Sequence, residues 1–370
     1  IASSITPWEH NSFSGGRFPE EQGLCHFSED YKQIYLSLTY SIIFVLGLPL
    51  NATVLWLSWH QTKRWNCATI YLVNLMVADL LYVLTLPFLI ITYSMGDWWP
   101  FGELLCKLVR FLFYTNLYGS ILLLTCISVH RFLSVCHPLR SLPYRTRRHA
   151  LLGAATTWAL VVLQLLPTLG FSHTDYINGH VVCYDTTGPK NFDRYFAYGM
   201  VLTLSGFAFP FVVVLVCYTL MVRSLTKPEE TFMKAGNAVR AKSIRTILLV
   251  CILFTLCFVP FHVTRSFYLT LRFLTSQDCQ LLWVASLAYK IWRPLVSMNS
   301  CFNPVLYFLS VGNNRVRLLQ KLRHNKVGEH PAGAQGERPR GGQVWVLSRC
   351  SVGKTSSKTL TMTCLNTVVR

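Results

Sequence analysis

The stretch CFVPFHVTRSFY carries two basic side chains inside a long apolar run. His262 and Arg265 are three residues apart, so a helix would place them on the same face. Arg265 also follows Pro260, which bends a helix because it lacks a backbone N–H. A charged group in an apolar segment is costly unless it faces a cavity or a partner of opposite charge. The pair therefore predicts a site for an anion.

Three more cations, Arg110, Lys290 and Arg293, lie in other apolar segments. The sequence places no acidic residue at comparable depth in these segments, so it offers the cations no internal counter-ion. An anionic ligand would supply one, and a guanidinium fork matches phosphate oxygens better than an ammonium group does. The alternative is that the cations extend to lipid headgroups, which suits Lys290 best. Aromatic side chains that could line a base or ribose pocket are Phe113, Tyr114, Tyr118, Phe261 and Tyr268.

The composition indicates a membrane protein. Of the 370 residues, 52% are hydrophobic and 14% are charged, whereas an average soluble domain has about 25% charged residues. A helix needs about 20 mostly apolar residues to cross a bilayer. The sequence predicts seven such spans: 34–59, 68–93, 108–135, 150–171, 195–222, 246–270 and 281–309.

The distribution of charge predicts the orientation of these spans, because cytoplasmic loops collect Lys and Arg. The loops after the first and third spans and before the sixth are rich in basic residues, whereas most acidic residues fall on the opposite side. We therefore expect residues 1–33 to be extracellular, with the first span directing insertion, and the C-terminus to be cytoplasmic. Half of the net charge of +18 lies after residue 310, which favours contact with anionic lipid and soluble partners over nucleic-acid binding.

Four of the thirteen cysteines fall on the predicted outer, oxidising side: Cys25, Cys106, Cys183 and Cys279. Two disulfides are expected there. The sequence alone permits all three ways of pairing them.

Seven signatures, one for each span and in order, give the chain a family resemblance. They are Asn51 in GLPLN, NLMVAD at 74–79, HRF at 130–132, Trp158, Pro210 with Tyr218, CFVPF at 257–261 and NPVLY at 303–307. The chain resembles a rhodopsin-class G-protein-coupled receptor over about residues 30–325. Within that class, the segment from WPFGELLCKLVR to VCHPLR, together with PFHVTR and AYKIWRP, is similar to the metabotropic purinoceptors.

The resemblance implies roles for the outer residues. It pairs Cys106 with Cys183 and Cys25 with Cys279, and it implies that Arg110, His262, Arg265 and Arg293 bind phosphate. The predicted ligand set is completed by Tyr114 and Lys290, with Asp185 and Arg194 as candidates that close over the ligand. The implied function is reception of extracellular purine or uridine di- or triphosphates at the plasma membrane, with signalling through Gq, phospholipase C and calcium release.

For the inner half, the resemblance implies a G-protein switch made of Arg131, Tyr218, Asn303 and Tyr307. His130 stands where the class usually has an acid, so the resting restraint of Arg131 must come from elsewhere. Asp79, Ser120, Asn299 and Asn303 match the internal sodium site of the class, and the expected cofactor is at most an allosteric sodium ion. A purely structural polar network is the alternative for these four residues.

The C-terminal region follows the last span. The segment NNRVRLLQKLRH predicts an amphipathic helix at 310–325 that lies on the inner membrane surface. Residues 326–370, rich in Gly, Pro, Ser and Thr, are expected to be disordered. The run TSSKTLTMT could accept phosphate and recruit arrestin, with an inert tail as the alternative.

Other functions fit the sequence less well. The GKT at 353–355 lacks the glycine that a phosphate-binding loop requires, and HExxH, CxxC and serine-elbow motifs are absent from the sequence, which argues against an enzyme. A transporter or channel would show inverted repeats or broken helix pairs. Among receptors, the alternative is one for another anion, such as a lysophospholipid, a leukotriene or a dicarboxylate.

Overall fold

The computed structural model describes residues 31–61, 65–177, 179–184, 191–226, 234–274, 278–310, 346–354 and 360–368. The chain divides into two units, Ile1–Leu318 and Leu319–Arg370. The first unit contains all of the predicted spans. The predicted helix 310–325 lies outside the described residues apart from Ser310, and so do the first thirty residues of the predicted extracellular segment. The division of the chain into these segments stays a prediction.

Helices form the first unit because its long apolar stretches can satisfy their backbone hydrogen bonds only internally. The first four spans consist of α1 (Tyr31–Gln61), α2 (Cys67–Val83) with α3 (Leu86–Ser94), α4 (Gly102–Cys136) and α5 (Arg147–Phe171). Side-chain caps begin two of them: Asn66 Oδ1 accepts from the Thr69 amide at 2.8 Å, and Thr146 Oγ1 accepts from the His149 amide at 3.4 Å.

The fifth and sixth spans each contain a widened, π-helical turn close to a proline. The fifth runs through α6 (Phe192–Thr203), the turn Leu204–Ala208 and α7 (Phe209–Thr226). The sixth runs through α8 (Lys234–Leu253), the turn Phe254–Phe258 and α9 (Val259–Phe273). Pro210 and Pro260 each stand two residues after such a turn. Because proline cannot donate to the preceding helical turn, the ladder widens there, a distortion common at functional sites.

Among the described residues, six helical segments are long and apolar enough to cross a membrane: Gln33–His60, Cys67–Ser94, Gly102–Cys136, Arg147–Phe171, Phe192–Ser224 and Ile244–Phe273. The seventh predicted span is divided into α10 (Cys279–Ser297) and α11 (Asn299–Ser310), which meet at Met298. Lys290 and Arg293 interrupt the apolar sequence of α10. All seven predicted spans lie within these helices, so the prediction of an all-α bundle of seven membrane-crossing segments is confirmed.

The longest helix, α4, packs against α2, α5, α7 and α8, which makes it the central element of the bundle. Polar signature residues join the other helices. Asn51 Nδ2 donates to the carbonyls of Gly47 and Ser300, both at 2.8 Å, and so links α1 to α11. Trp158 Nε1 donates to Asn74 Oδ1 at 2.9 Å, linking α5 to α2.

A small hairpin covers part of one end of the bundle, the end that the sequence predicts to be extracellular. Strand β1 (Thr174–Ile177) pairs antiparallel with β2 (His180–Cys183), and Gly179 takes a φ of +84° in the turn, a conformation that suits glycine. The hairpin is tied to α4 by the predicted Cys106–Cys183 disulfide, whose Cα atoms are 5.7 Å apart. Cys279 is also disulfide-bonded, while its predicted partner Cys25 lies outside the described residues.

The second unit contains an antiparallel pair, β3 (Val346–Lys354) and β4 (Leu360–Val368). These strands lie within residues 326–370, whose expected disorder stays a prediction for the region as a whole. Both segments contain Val, Leu and Thr, residue types that favour strands. The Gly and Pro on which the expectation rested are concentrated before residue 346.

Candidate functional site

The half of α4 that lies next to the hairpin presents three side chains at four-residue spacing, which places Arg110, Tyr114 and Tyr118 along one helix face. All three are buried. Arg110 Nη2 donates a hydrogen bond of 3.0 Å to the carbonyl of Cys183. The disulfide and this hydrogen bond together hold the end of β2 against the outer part of α4.

Arg265 lies at the centre of the site, on α9, and is only 2% exposed. Its Nη1 donates to the Tyr118 hydroxyl and its Nη2 to the Tyr195 hydroxyl, each at 3.2 Å. The guanidinium carbon stands 5.1 Å from the ring centroid of Tyr114, a cation–π contact. Two phenols and one ring therefore surround the charge, and no carboxylate of the described residues contacts it.

His262 lies one turn from Arg265 and is 1% exposed. Its ring stacks on Phe207 of the π-helical turn in the fifth span, with centroids 4.1 Å apart and planes at 12°. Neither ring nitrogen has a hydrogen-bond partner among the described residues, and the same holds for Arg265 Nε. Buried polar groups of this kind are normally satisfied. The sixth span thus offers hydrogen-bonding groups that the described protein leaves unused.

The other cations come from α4 and α10. The guanidinium carbon of Arg293 lies 5.1 Å from the ring centroid of Phe113, and Arg293 and Arg110 both interact electrostatically with Tyr82. Phe113 also contacts the ring of Tyr114 at 5.0 Å. We call Arg110, His262, Arg265 and Arg293 the outer cation site, since this shared aromatic wall brings them together.

The other three predicted ligand residues are not among the buried residues of the outer cation site. Lys290 is half-buried on α10, Arg194 is exposed on α6, and Asp185 lies outside the described residues. Sequence reasoning missed Tyr195 and Phe207. Nothing in their spacing distinguishes them from core aromatic residues, because their roles depend on how the fifth span packs against the sixth.

Glycine shapes the wall beside Tyr118. A Cβ atom at Gly206 would stand 2.6 Å from Tyr118 Cδ1 and 2.8 Å from Tyr118 Cε1. The π-helical turn can therefore approach the tyrosine only because residue 206 has no side chain. Tyr118 in turn accepts the bond from Arg265, so the backbone of the fifth span supports the position of the cation.

A second polar cluster surrounds Asp79 in the middle of the bundle. Its Oδ1 accepts from Asn116 Nδ2 at 2.7 Å and from Ser300 Oγ at 2.8 Å, and its Oδ2 accepts from Asn303 Nδ2 at 2.8 Å. Sequence reasoning included Asn303 but missed Asn116 and Ser300. Ser300 precedes the predicted Asn303 by three residues on α11, so helical spacing places the two on one face and could have identified Ser300.

The same cluster contains oxygen atoms that could bind a cation. Ser120 Oγ and Asn303 Oδ1 are buried oxygen atoms without a hydrogen-bond partner among the described residues. A carboxylate with hydroxyl and amide oxygens is the kind of donor set that hard cations prefer. The four predicted residues Asp79, Ser120, Asn299 and Asn303 are all buried, so the residues fit a sodium ion.

The predicted G-protein switch residues lie in the half of the bundle away from the hairpin. Tyr307 is buried, while Arg131 and Tyr218 are half-buried. Tyr218 lines a small pocket with Met221 and Ile247 between the fifth and sixth spans. Within the described part of the chain, Arg131 makes no hydrogen bond to either tyrosine. The three residues therefore lie in the half of the bundle away from the hairpin, and no hydrogen bond of the described residues joins Arg131 to either tyrosine.

Comparison with known proteins identifies the protein class to which the chain belongs. The family "7 transmembrane receptor (rhodopsin family)" matches residues 50–307. The chain belongs to this family of seven-transmembrane receptors, whose members are receptors rather than enzymes, and it is a multi-pass membrane protein.

The relatives narrow the class to one group. The chain is 46% identical over 335 residues to purinoceptor 2 of Homo sapiens, covering 90% of this chain and 87% of the relative. It is 44% identical over 300 residues to purinoceptor 3 of Gallus gallus, covering 81% and 90% respectively. It is 44% identical over 304 residues to purinoceptor 4 of Rattus norvegicus, covering 82% and 83%. Within the rhodopsin family, the chain is therefore a member of the purinoceptor group.

Proposed function

We propose that the protein is a cell-surface receptor that binds extracellular nucleotides at the outer cation site and activates a heterotrimeric G protein. One observation carries the proposal: Arg265 is almost fully buried, and its described contacts are two phenols and an aromatic ring. A buried charge is strongly destabilising when no opposite charge compensates it. An anionic ligand entering from outside supplies that charge, and the purinoceptor names of the relatives support a nucleotide.

The chemistry of the site suits a phosphate chain attached to a planar base. Phosphate oxygens accept well from guanidinium groups and from the unused nitrogens of His262. A di- or triphosphate carries several negative charges, which match the several cations of the site. Tyr114 and the stacked pair Tyr268 and Tyr289, whose ring centroids are 5.8 Å apart, offer flat surfaces for a base.

The proposed orientation places the N-terminus outside and the C-terminus in the cytoplasm. The disulfide-bonded hairpin then lies on the oxidising side, and Arg131, Tyr218, Asn303 and Tyr307 lie in the half of the bundle that faces the G protein. We assign signalling to Gq, phospholipase C and calcium release, with arrestin recruited through the Ser and Thr residues of the tail. A sodium ion held by the Asp79 cluster would act as an allosteric ligand.

A calcium assay in transfected cells tests the proposal. ATP, ADP, UTP, UDP and nucleotide sugars are applied to cells that express the receptor and to untransfected cells. A response to at least one nucleotide, abolished by a phospholipase C inhibitor, is expected. If no nucleotide acts and a lysophospholipid, a leukotriene or a dicarboxylate does, the ligand assignment is wrong while the receptor assignment stands. A nucleotide response that is insensitive to the inhibitor but blocked by inactivation of another G protein would reject only Gq.

A further inference from the structure

Three basic side chains meet at the opposite end of α4 from the nucleotide site. His130 and Arg131 lie in the last two turns of α4, and Arg145 lies in the loop just before α5. The Arg145 amide donates to the Ser141 carbonyl at 3.1 Å, and its carbonyl accepts from Cys67 Sγ at 3.3 Å. These bonds fix the backbone of Arg145 between its own loop and the first turn of α2. We call His130, Arg131 and Arg145 the inner cation cluster.

The cluster is electrostatically unfavourable by itself. Arg145 acts as a like charge on both Arg131 and His130, and the side chains are only partly exposed. Each has a buried nitrogen with no hydrogen-bond partner in the described part of the chain: His130 Nδ1, Arg131 Nε and Arg145 Nε. Repulsion between charges grows as water is excluded, and an unsatisfied buried donor adds a further cost. The arrangement therefore lacks an acceptor.

The described protein offers no carboxylate for this role. Asp79 is held by three hydrogen bonds in the middle of the bundle, and the described residues of the inner half include no other Asp or Glu. The inner acids of the sequence are Glu229, Glu230, Glu329 and Glu337, all outside the described residues.

We propose that the inner cation cluster is a binding site for a phosphate group presented from the cytoplasmic side. Two guanidinium groups provide planar donor forks that match phosphate oxygens. Exposed basic residues continue from the cluster along the same loop and into α5, namely Arg140, Arg147 and Arg148, and such positions meet the anionic inner leaflet. The phosphate gives Arg131 the negative partner that His130 does not provide. The site rests on the orientation proposed above but not on the identity of the extracellular ligand.

A soluble anion tests the site in the purified full-length receptor. The receptor carries Arg265→Gln, so that anion binding at the outer cation site contributes less to the change in melting temperature. The melting temperature is then measured in pyrophosphate and in sodium chloride of equal ionic strength. At about ten times Kd, a bound anion is expected to raise the melting temperature by roughly 2 °C relative to chloride. Adding Arg145→Gln should remove most of the rise. Adding Arg140→Gln, which removes the same charge from an exposed position of the same loop, should preserve it.

A lipid arm distinguishes the two sources of phosphate. The wild-type receptor is placed in phosphatidylcholine nanodiscs with and without phosphatidylinositol bisphosphate. Stabilisation by the lipid, lost in Arg145→Gln, identifies a headgroup; stabilisation by pyrophosphate but not by the lipid identifies a soluble phosphate. His130→Asp provides a second variant, because its carboxylate would occupy the cluster from within and abolish both responses.

Several results would overturn the site. Equal melting temperatures in pyrophosphate and chloride, together with no effect of the lipid, would exclude phosphate binding. A response that persists in both Arg145→Gln and His130→Asp would place the anion elsewhere. A response that first appears when Glu229 and Glu230 are both replaced by Gln would show that the chain's own acids fill the cluster.

Discussion

Replacing Arg265 by Gln is expected to weaken nucleotide potency by roughly ten- to hundredfold. The guanidinium is 2% exposed, so a phosphate that reaches it forms a charge-assisted bond in a poorly hydrated site. Such a bond contributes on the order of 1.5 to 3 kcal/mol, which corresponds to that range in potency. Arg265→Lys should recover part of the loss. It keeps the charge, but a single ammonium cannot reproduce the fork that contacts Tyr118 and Tyr195 at 3.2 Å each.

The assay is a set of concentration–response curves at matched surface density, with one diphosphate and one triphosphate agonist. Arg272→Gln is the control, since Arg272 lies two turns further along α9 and also stacks on an aromatic ring, 4.3 Å from the centroid of Phe192. It removes the same charge from the same helix, and its potency should stay close to wild type. Unchanged potency for Arg265→Gln and Arg265→Lys with both agonists would refute phosphate binding by Arg265. Reduced expression without a change in potency would point instead to a role in membrane insertion.

The remaining predictions concern the supports of the site and its coupling. Cys106→Ser should lower both surface level and potency, because the hairpin carbonyl that contacts Arg110 is no longer fixed to α4; normal potency at normal surface level would contradict this. Arg131→Ala should leave nucleotide binding intact and abolish G-protein activation, since the residue lies at the far end of a two-state bundle. Full activation by this variant in an assay of GTP exchange on the G protein would show that Arg131 has no role in the switch. Gly206→Ala should lower the melting temperature by an amount equivalent to about 1 to 3 kcal/mol, because its Cβ would stand 2.6 Å from a buried tyrosine ring; an unchanged melting temperature would mean that the fifth span yields without strain.

The helices could be predicted from sequence because a membrane leaves apolar segments few other conformations. The seven predicted spans lie inside the observed helices, and even the divided seventh was located from its composition. The cations could be found as well, since a charge in an apolar run is conspicuous. The residues that contact these cations could not be found in the same way. Tyr195 contacts Arg265 only because α6 packs beside α9, and the sequence of α6 does not encode that distance.

The same limit applies to the Asp79 cluster. Resemblance pointed to Asn303, but Asn116 and Ser300 donate to the same carboxylate because three helices converge on it. A widened turn in each of two spans was also unforeseen. Pro210 and Pro260 predict a local distortion, but the register shift that aligns Phe207 with His262 depends on which backbone bonds the neighbouring helices allow.

Direct binding to the purified receptor tests the central claim, that buried cations recognise the phosphates of a nucleotide. The measurement is the affinity of wild type and of Arg265→Gln for the most active nucleotide and for the corresponding nucleoside, with Arg272→Gln alongside. The account predicts that the nucleotide binds far more tightly than the nucleoside, and that Arg265→Gln weakens only the nucleotide, by roughly ten- to hundredfold. Equal affinities of the wild type for nucleotide and nucleoside, or equal weakening of both in Arg265→Gln, would contradict it.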